Sequence, residues 1–550
     1  TTLVAGFMVS LGFTSAFAEV TNTTLPTWSS GTNVNYTETI NGTTSSLGNV
    51  QITGGQGSVG TANWSSYNIG KDATVNYEFT ATNQTALNII DKASGISEIY
   101  GNITNSSCTT CAYTDTGKVI LINPNGFLFG DGANVNLNSF TVTTFDGTYN
   151  KDDNTLKLTR SSDSGDIVIE GGANIYGDKN VTLAASNITT YAGSKISTNI
   201  DQLNGWSDAD GDDLISPTTD KPYNAVYGRV KLVTSDGVTF TYYNNGAVKD
   251  VSDITTSTDK MVISLGGDID SGHIDVRNYS TNSESEISVN NSVLKATKAS
   301  SANDGNIWLT SQNAITLADA ELEAGGNVLI QSGKDTAISD STIDAANNIT
   351  ITSSKSDIIF DGTTSLNAGG KIKLTAGNDV KTKGSAILNL NNKKTYITAG
   401  NDIDVYLEGV ESRDYGLVAE AGNNVTIETP GTLSVSSLIA KNGDMTLTAD
   451  KIIAGLDYTD ETKLDDDLTS DRSYIEVANG TFTSNTANDS YTTTASGDSV
   501  EVDGNYYYTR HHIEYGDGAE KILLVTNVPY TPDPDPVVPS VEPTVTTLSY

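Results

Sequence analysis

The sequence predicts an all-β chain wound into a parallel β-helix, a solenoid in which short strands stack one coil upon the next. Three observations carry this. No segment sustains the i, i+3, i+4 apolar spacing of an amphipathic helix, whereas strand-length alternations bounded by Gly, Asn and Asp fill the chain. Ile307-Trp308-Leu309, Val328-Leu329-Ile330 and Ile349-Thr350-Ile351 recur every 21 residues (330 − 309 and 351 − 330). Lys371-Ile372-Lys373-Leu374-Thr375-Ala376-Gly377-Asn378-Asp379-Val380 is nearly repeated 23 residues on (394 − 371), ending in Ala399-Gly400-Asn401-Asp402-Ile403. The turn returns as Ala421-Gly422-Asn423-Asn424-Val425, and the strand as Met445-Thr446-Leu447-Thr448-Ala449. Finally, only 36% of residues are hydrophobic, which suits a stack growing in one dimension. A period of about 20 to 23 with such punctuation marks a solenoid, and no Leu ladder or helical stretch points to leucine-rich repeats.

Charge narrows the partners. The 550 residues hold 31 Lys+Arg against 67 Asp+Glu, a net charge of −36. That acid excess excludes a nucleic-acid partner, because neutralising a phosphate backbone takes Lys and Arg. Within each coil, inward Val, Ile, Leu and Ala are expected to stack while Thr, Ser and Asn face water. Gly and Asn at the corners are expected to supply the left-handed backbone that tight bends demand. At about 4.8 Å per coil, roughly 20 coils are expected between Glu19 and Ile453.

At the start of the chain, Leu3 to Phe13 form a short apolar run followed by Ala16-Phe17-Ala18. This reads as the h-region and cleavage site of a secretory signal peptide, so residues 1–18 are a leader cut between Ala18 and Glu19. The run is shorter than the roughly 20 apolar residues of a membrane span. Cys108 and Cys111 form a C-T-T-C pair and are the only cysteines. In an oxidising compartment they are expected to form a small structural disulfide, closing a loop that gains little entropy. Their turn-forming neighbours Asn105-Ser106-Ser107 and Thr109-Thr110 speak against redox or metal chemistry.

The N-terminal third carries more specific patterns. Asn63-Trp64-Ser65-Ser66-Tyr67-Asn68-Ile69-Gly70 precedes the alternating strand Ala73 to Phe79, and Ala86-Leu87-Asn88-Ile89-Ile90 follows. Gly117 to Gly130 then holds the apolar strand Val119-Ile120-Leu121-Ile122 and the turn Asn123-Pro124-Asn125-Gly126. In that turn Pro pre-sets φ at the second position, Gly permits closure, and Asn caps backbone groups. In order and spacing these motifs resemble the secretion domain of filamentous-haemagglutinin-like exoproteins of Gram-negative two-partner secretion systems. Tyr67 stands where that family has Phe, and Ile89 where it has Arg. The resemblance covers residues 30–145 closely. It implies a right-handed β-helix with an N-terminal cap, and a secretion motif of Asn63, Trp64, Asn68, Asn123, Pro124, Asn125 and Gly126. Trp64 is expected to pack at the cap rather than to bind a ligand.

The resemblance further implies passage through the periplasm and recognition by the periplasmic modules of a dedicated outer-membrane two-partner transporter. The product is expected to be secreted or held at the cell surface as an adhesin-like exoprotein facing a host-cell or matrix receptor or glycan. On this reading residues 19–270 form the secretion domain, with an excursion at 201–260, and 271–456 form β-helix repeats. Residues 457–528 form an acidic β extension, and 529–550 a Pro-rich tail or linker. Asp208, Asp210 and Asp212 resemble the start of a calcium loop, but Asp213 and Thr219 stand where Gly and Glu are needed, so a solvated acidic loop is expected. Two alternatives are a β-helical polysaccharide-degrading enzyme and the stalk of a contact-dependent toxin or cytolysin. The first needs converging carboxylates; here they are spread through turns, and His273, His511 and His512 offer no triad or metal-ligand spacing. Neither an enzyme nor a cofactor is therefore expected.

Overall fold

Successive coils are joined strand to strand, in parallel and in register, along three faces. The computed structural model describes residues 20–42, 44–106, 117–199, 228–244, 246–297, 305–391, 393–411, 416–454, 474–477, 480–486, 490–494, 500–502, 505–507, 509–514 and 520–526. Ala18, Glu19, Cys108, Cys111, the Asp208–Asp212 run and the Pro-rich tail lie outside the described residues. One coil shows the plan: Glu321–Ala324 on the first face, Val328–Ser332 on the second and Thr336–Ser339 on the third. Each pairs in parallel with its counterpart one coil on, Thr342–Ala345, Ile349–Ser353 and Ile358–Asp361. The chain is thus a parallel β-helix.

The period read from the sequence is the register of these pairings. Leu309, Ile330, Ile351, Leu374, Ile397 and Ala419 face one another in succession on the second face, all buried. Ile315, Thr336, Ile358, Val380, Ile403, Val425 and Met445 do so on the third. Ala296, Ala324, Ala345 and Ala368 line the first. Because strand residues alternate faces, the inward positions build columns that are apolar but for residues such as Thr336, each Ile or Leu contributing about 1.5–3 kcal/mol by burial.

Among the described residues, thirteen successive parallel pairings join Val59–Ser66 to Thr432–Ala440 on the second face, fourteen rungs rather than roughly 20. The shortfall arises in the N-terminal half. There Thr143 pairs with Ala184, Ala184 with Val233 and Val233 with Arg277, each step about twice the later period. The described chain leaves the stack at Asp146–Asn150 and Thr155–Thr159, between Thr143 and Ala184, and again between Val233 and Arg277. Within the stretch read as an excursion, Arg229–Thr234 is a strand of the second face. Gly237–Tyr242 and Val248–Thr255 do leave it. They join Asp146–Asn150 and Thr155–Thr159 in a four-stranded antiparallel sheet. Beyond residue 456 the stack continues, with Tyr474–Val477 on the second face and Thr481–Thr486 on the third.

The corners divide the work differently from expectation. Left-handed backbone serves the corner between third and first faces at Asn291, Asp319, Asp340 and Gly362 (φ 50°, 50°, 44° and 59°), and recurs between first and second faces at Gly305 and Asn391 (77° and 49°). The glycines of the repeated Ala-Gly-Asn turn, between second and third faces, serve close approach instead: a Cβ on Gly400 would lie 2.1 Å from the Gly377 carbonyl oxygen, and one on Gly422 2.0 Å from that of Gly400. The Asn-Asp pair beside them builds a ladder. Asp379 Oδ1 accepts from the amide of Asn401 (2.9 Å) and the backbone N–H of Asp402 (3.2 Å). Asp402 Oδ1 does the same for Asn423 (3.1 Å) and Asn424 (2.9 Å) one coil further.

At the N-terminal end, Thr27–Thr32 and Val34–Asn41 run antiparallel to Val59–Ser66 and Ser45–Ile52, closing two of the three faces with a cap. Replacing Gly400 with Ala should destabilise the chain by about 1–3 kcal/mol through overpacking. Gly55→Ala, where an added Cβ meets nothing within 4 Å, should change stability by less than about 0.5 kcal/mol. Urea denaturation of both variants checks the contrast.

Candidate functional site

The cap is held by an aromatic cluster with a polar centre. Trp64 is 1% exposed. Its ring meets Trp28, Tyr36 and Tyr67 edge to face at 5.2, 5.0 and 5.4 Å, while Trp28 stacks on Tyr36 at 5.5 Å. Such pairs add about 0.5–1.5 kcal/mol beyond the area buried. The indole N–H of Trp64 donates to Asn88 Oδ1 at 3.0 Å, and the Tyr77 hydroxyl donates to the same oxygen at 3.0 Å. Tyr67 and Tyr77 share a hydrogen bond of 2.7 Å. The Asn88 amide nitrogen donates to the carbonyls of Ala86 and Ile120, both at 3.2 Å, which ties the network to the next coil. Burial raises the pKa of Tyr67 and Tyr77 well above that of a free phenol, so both hydroxyls stay protonated.

Asn88 is absent from the motif residues chosen from sequence, yet it is the centre of this network. A signal existed: Gln84, Ala86, Asn88 and Ile90 point inward, and an amide in the middle of that set must find partners. The two departures from the family pattern also acquire a physical reading. The Tyr67 hydroxyl, which Phe would lack, reaches Tyr77. Ile89 points outward and packs against the hydrophobic cluster beneath the antiparallel sheet.

The other motif residues tie coils together. Asn63 donates to Ser30 Oγ of the cap at 3.1 Å, and Asn68 Oδ1 accepts the backbone N–H of Glu98 at 2.9 Å. Asn123 is fully buried. Its amide donates to the Gly95 carbonyl (3.0 Å) and Ser97 Oγ (2.9 Å), while its oxygen accepts from the backbone and side chain of Asn125 (3.0 and 3.1 Å). Asn125 also donates to the Lys92 carbonyl at 2.9 Å. The Gly126 N–H closes the turn on the Asn123 carbonyl (3.1 Å), and the Pro124 carbonyl accepts from Gly165 one coil later (2.7 Å). Gly126 takes φ 123°, a left-handed-side geometry that favours glycine. The turn therefore fastens three consecutive coils through side chains and backbone at once. The motif falls in two places, the Trp64 cluster under the cap and the Asn123 turn at the corner between second and third faces.

A second concentration of chemistry lies on the outward side of the second face. Asp275 pairs with Lys231 Nζ at 2.8 Å and Arg277 Nε at 2.6 Å, with both Asp275 and Lys231 buried. Burial would raise the Asp275 pKa, but Arg277 and Lys231 outweigh it and hold it well below the usual carboxylate range. Burial pushes Lys231 down to about 8. His273, edge-on to Trp308 at 4.6 Å, is driven well below its usual value by burial, then by Arg229 and Lys231. With both its oxygens engaged by cations, Asp275 is a structural anion. Among the described residues no group of three or more His, Cys, Asp or Glu side chains is placed to hold a metal.

These features define a class: a solenoid whose cap and first coils are built as a unit and whose remaining coils extend it. Residues 23–325 match the family model described as the TPS secretion domain. That is more than half of the 550 residues, and the chain belongs to this family, the two-partner secretion exoproteins. The match extends past residue 270. Members are exported through an outer-membrane partner transporter to the cell surface or medium. A similar solved structure is the crystal structure of the HMW1 secretion domain from Haemophilus influenzae, 16% identical, covering 77% of this chain and 95% of that one, with a TM-score of 0.35. No curated protein matches the chain.

Two outcomes follow from these geometries. Asn88→Leu leaves the Trp64 N–H without its acceptor and the Tyr77 hydroxyl with only its bond to Tyr67, so stability in urea should fall by about 1–3 kcal/mol. For His273 the depressed folded pKa means that the unfolded chain binds the proton first. Stability is then full above about pH 6.5 and declines below it, by at most about 1.4 kcal/mol per pH unit. His273→Gln should flatten the stability profile between pH 6.5 and 5, measured by urea denaturation at each pH.

Proposed function

We propose that this exoprotein is adhesin-like: its transporter's periplasmic modules read the cap and the Asn123-Pro124-Asn125-Gly126 turn, and the emerged solenoid presents an adhesive surface. The observation that carries the first part is the turn itself. It joins three coils with every hydrogen-bonding position of the Asn123 amide in use, which suits a segment that starts coil stacking once the chain is outside. Each later coil then adds onto a ready hydrogen-bonded edge. Composition supports threading, because a chain with 36% hydrophobic residues and a net charge of −36 collapses weakly before its first coil forms.

The adhesive part rests on the long outward faces. Thr310, Gln331, Thr352, Thr375 and Thr398 form one outward row, one residue per coil. Such a row, apart from the buried Thr375 hydroxyl, offers hydroxyl and amide groups to a glycan or to an extended stretch of a host-cell or matrix protein. Asn123→Ala or Asn125→Ala should lower the amount of protein in the culture supernatant several-fold at unchanged expression, by immunoblot of cells and medium with the partner transporter present. Normal supernatant levels for both variants would refute the role of the turn. Purified native protein should bind host cells or immobilised matrix and glycans above a heat-unfolded control.

A further inference from the structure

The antiparallel sheet on the outside of the solenoid has a physical role that stacking does not explain. Its strands Asp146–Asn150 and Thr155–Thr159 leave the stack early, and Gly237–Tyr242 and Val248–Thr255 leave it much later. The two halves meet by pairing Thr155–Thr159 with Gly237–Thr241. Leu156, Leu158, Val238, Phe240 and Val251 turn inward and bury against the second face. There Leu87, Ile120, Ile122, Ala184 and Val233 point outward; in the row of Ile122, Ala184 and Val233 the later coils carry Arg277, Thr310, Gln331 and Thr352. The solenoid thus builds an apolar stripe on its exterior whose cover, begun by Leu156 and Leu158, is complete only when the chain through Thr255 is available.

Four of the polar contacts that fasten the cover are the most distant in sequence among the described residues. Ser139 Oγ donates to the Gly246 carbonyl at 2.7 Å across 107 residues, and Thr141 Oγ1 and Tyr242 Oη share a bond of 3.0 Å across 101. Asn154 donates to the Tyr242 carbonyl at 2.8 Å across 88. Arg160 holds Asp236 at 3.0 Å and Asp259 at 2.7 Å, and its Nε donates to Ser186 of the stack at 3.0 Å. The pairings that join the covered coils, Leu87 with Ile120, Ile122 with Thr143, Thr143 with Ala184 and Ala184 with Val233, span 21–49 residues, so they form first, and the cover closes after them.

We propose that this sheet is a late-closing latch: it makes little difference to how fast the solenoid folds and a large difference to how slowly it unfolds. Interactions made after the rate-limiting step act on the unfolding rate alone. Resting on the export reading above, the latch gives a chain that emerges N-terminus first a means of holding its opening coils folded while the remainder is still passing. It closes when residues 237–255 arrive, and from then on unfolding of the covered coils requires breaking it.

The test uses the full mature chain, with folding and unfolding rates measured by denaturant jump and Trp fluorescence. Phe240→Ala and Asn154→Ala, one apolar and one polar element of the latch, should each speed unfolding, about ten- to a hundredfold for Phe240→Ala, and change the folding rate by less than about threefold. Val75→Ala, in the core of an opening coil, should instead slow folding. Slower folding with unchanged unfolding in the latch variants would overturn the proposal, as would protection of the 237–255 amides before those of 117–122 in pulsed hydrogen exchange. If Phe240→Ala fails to fold, Asn154→Ala and the exchange order still decide. The measurement needs no transporter, so its failure leaves the export reading standing. Conversely, secretion that proves independent of the transporter would sink the export reading without touching the rate split.

Discussion

Everything in this molecule depends on the parallel hydrogen-bonded register between one coil and the next. A strand added to a stack must meet its neighbour residue for residue, because a slip of one would turn its inward set outward. That requirement explains the apolar columns of Leu309, Ile330, Ile351 and Leu374. It also explains the corners, which must rise by one strand spacing without drifting. Gly400 is there because the carbonyl of Gly377 passes where a side chain would begin. Asp379 and Asp402 are there because their oxygens hold the N–H groups of the following coil. A low apolar content suffices, since each coil needs only to cover its two neighbours.

A stack of this kind has an end, and the end is where its polar groups would be left open. The antiparallel cap strands occupy the first edge, and the Trp64 cluster fills the space beneath them. Placing Asn88 at the centre fixes the rings by direction as well as by shape, since two donors converge on one oxygen. A buried amide is costly unless all its positions are used, and here both ends of it are. The Asn123 turn repeats the device one corner away. The Trp64 cluster and the Asn123 turn are then the groups that make the first coils cohere.

The exterior is not uniform. Along the later coils the outward row from Thr310 to Thr398 is polar, whereas the coils of the N-terminal half carry an apolar stripe and a buried ion cluster. The antiparallel sheet accounts for the stripe. Lys231, Asp275 and Arg277 form a cluster that is charged yet satisfied within itself, and the neighbouring His273 stays neutral in its field. The polar row from Thr310 to Thr398 lies on the same second face, beyond the coils that the antiparallel sheet covers.

How far the sequence led can be traced residue by residue. The 21- and 23-residue repeats specified the class and even the pairing partners, because in a solenoid sequence period and strand register are the same quantity. The Asn-Pro-Asn-Gly turn was legible for the same reason that it works: its conformation is set by its own four residues. Asn88, the pairing of Thr155–Thr159 with Gly237–Thr241, and the number of coils were not legible, since each depends on segments brought together from far along the chain. The corner glycines were visible as glycines, but their reason was not, because local sequence records a missing side chain and only the neighbouring coil shows what occupies its place. By itself, then, the amino-acid order determined what repeats. Tertiary structure alone decided where the repeat is broken and what covers the break, because those outcomes are settled by contacts that no local window contains.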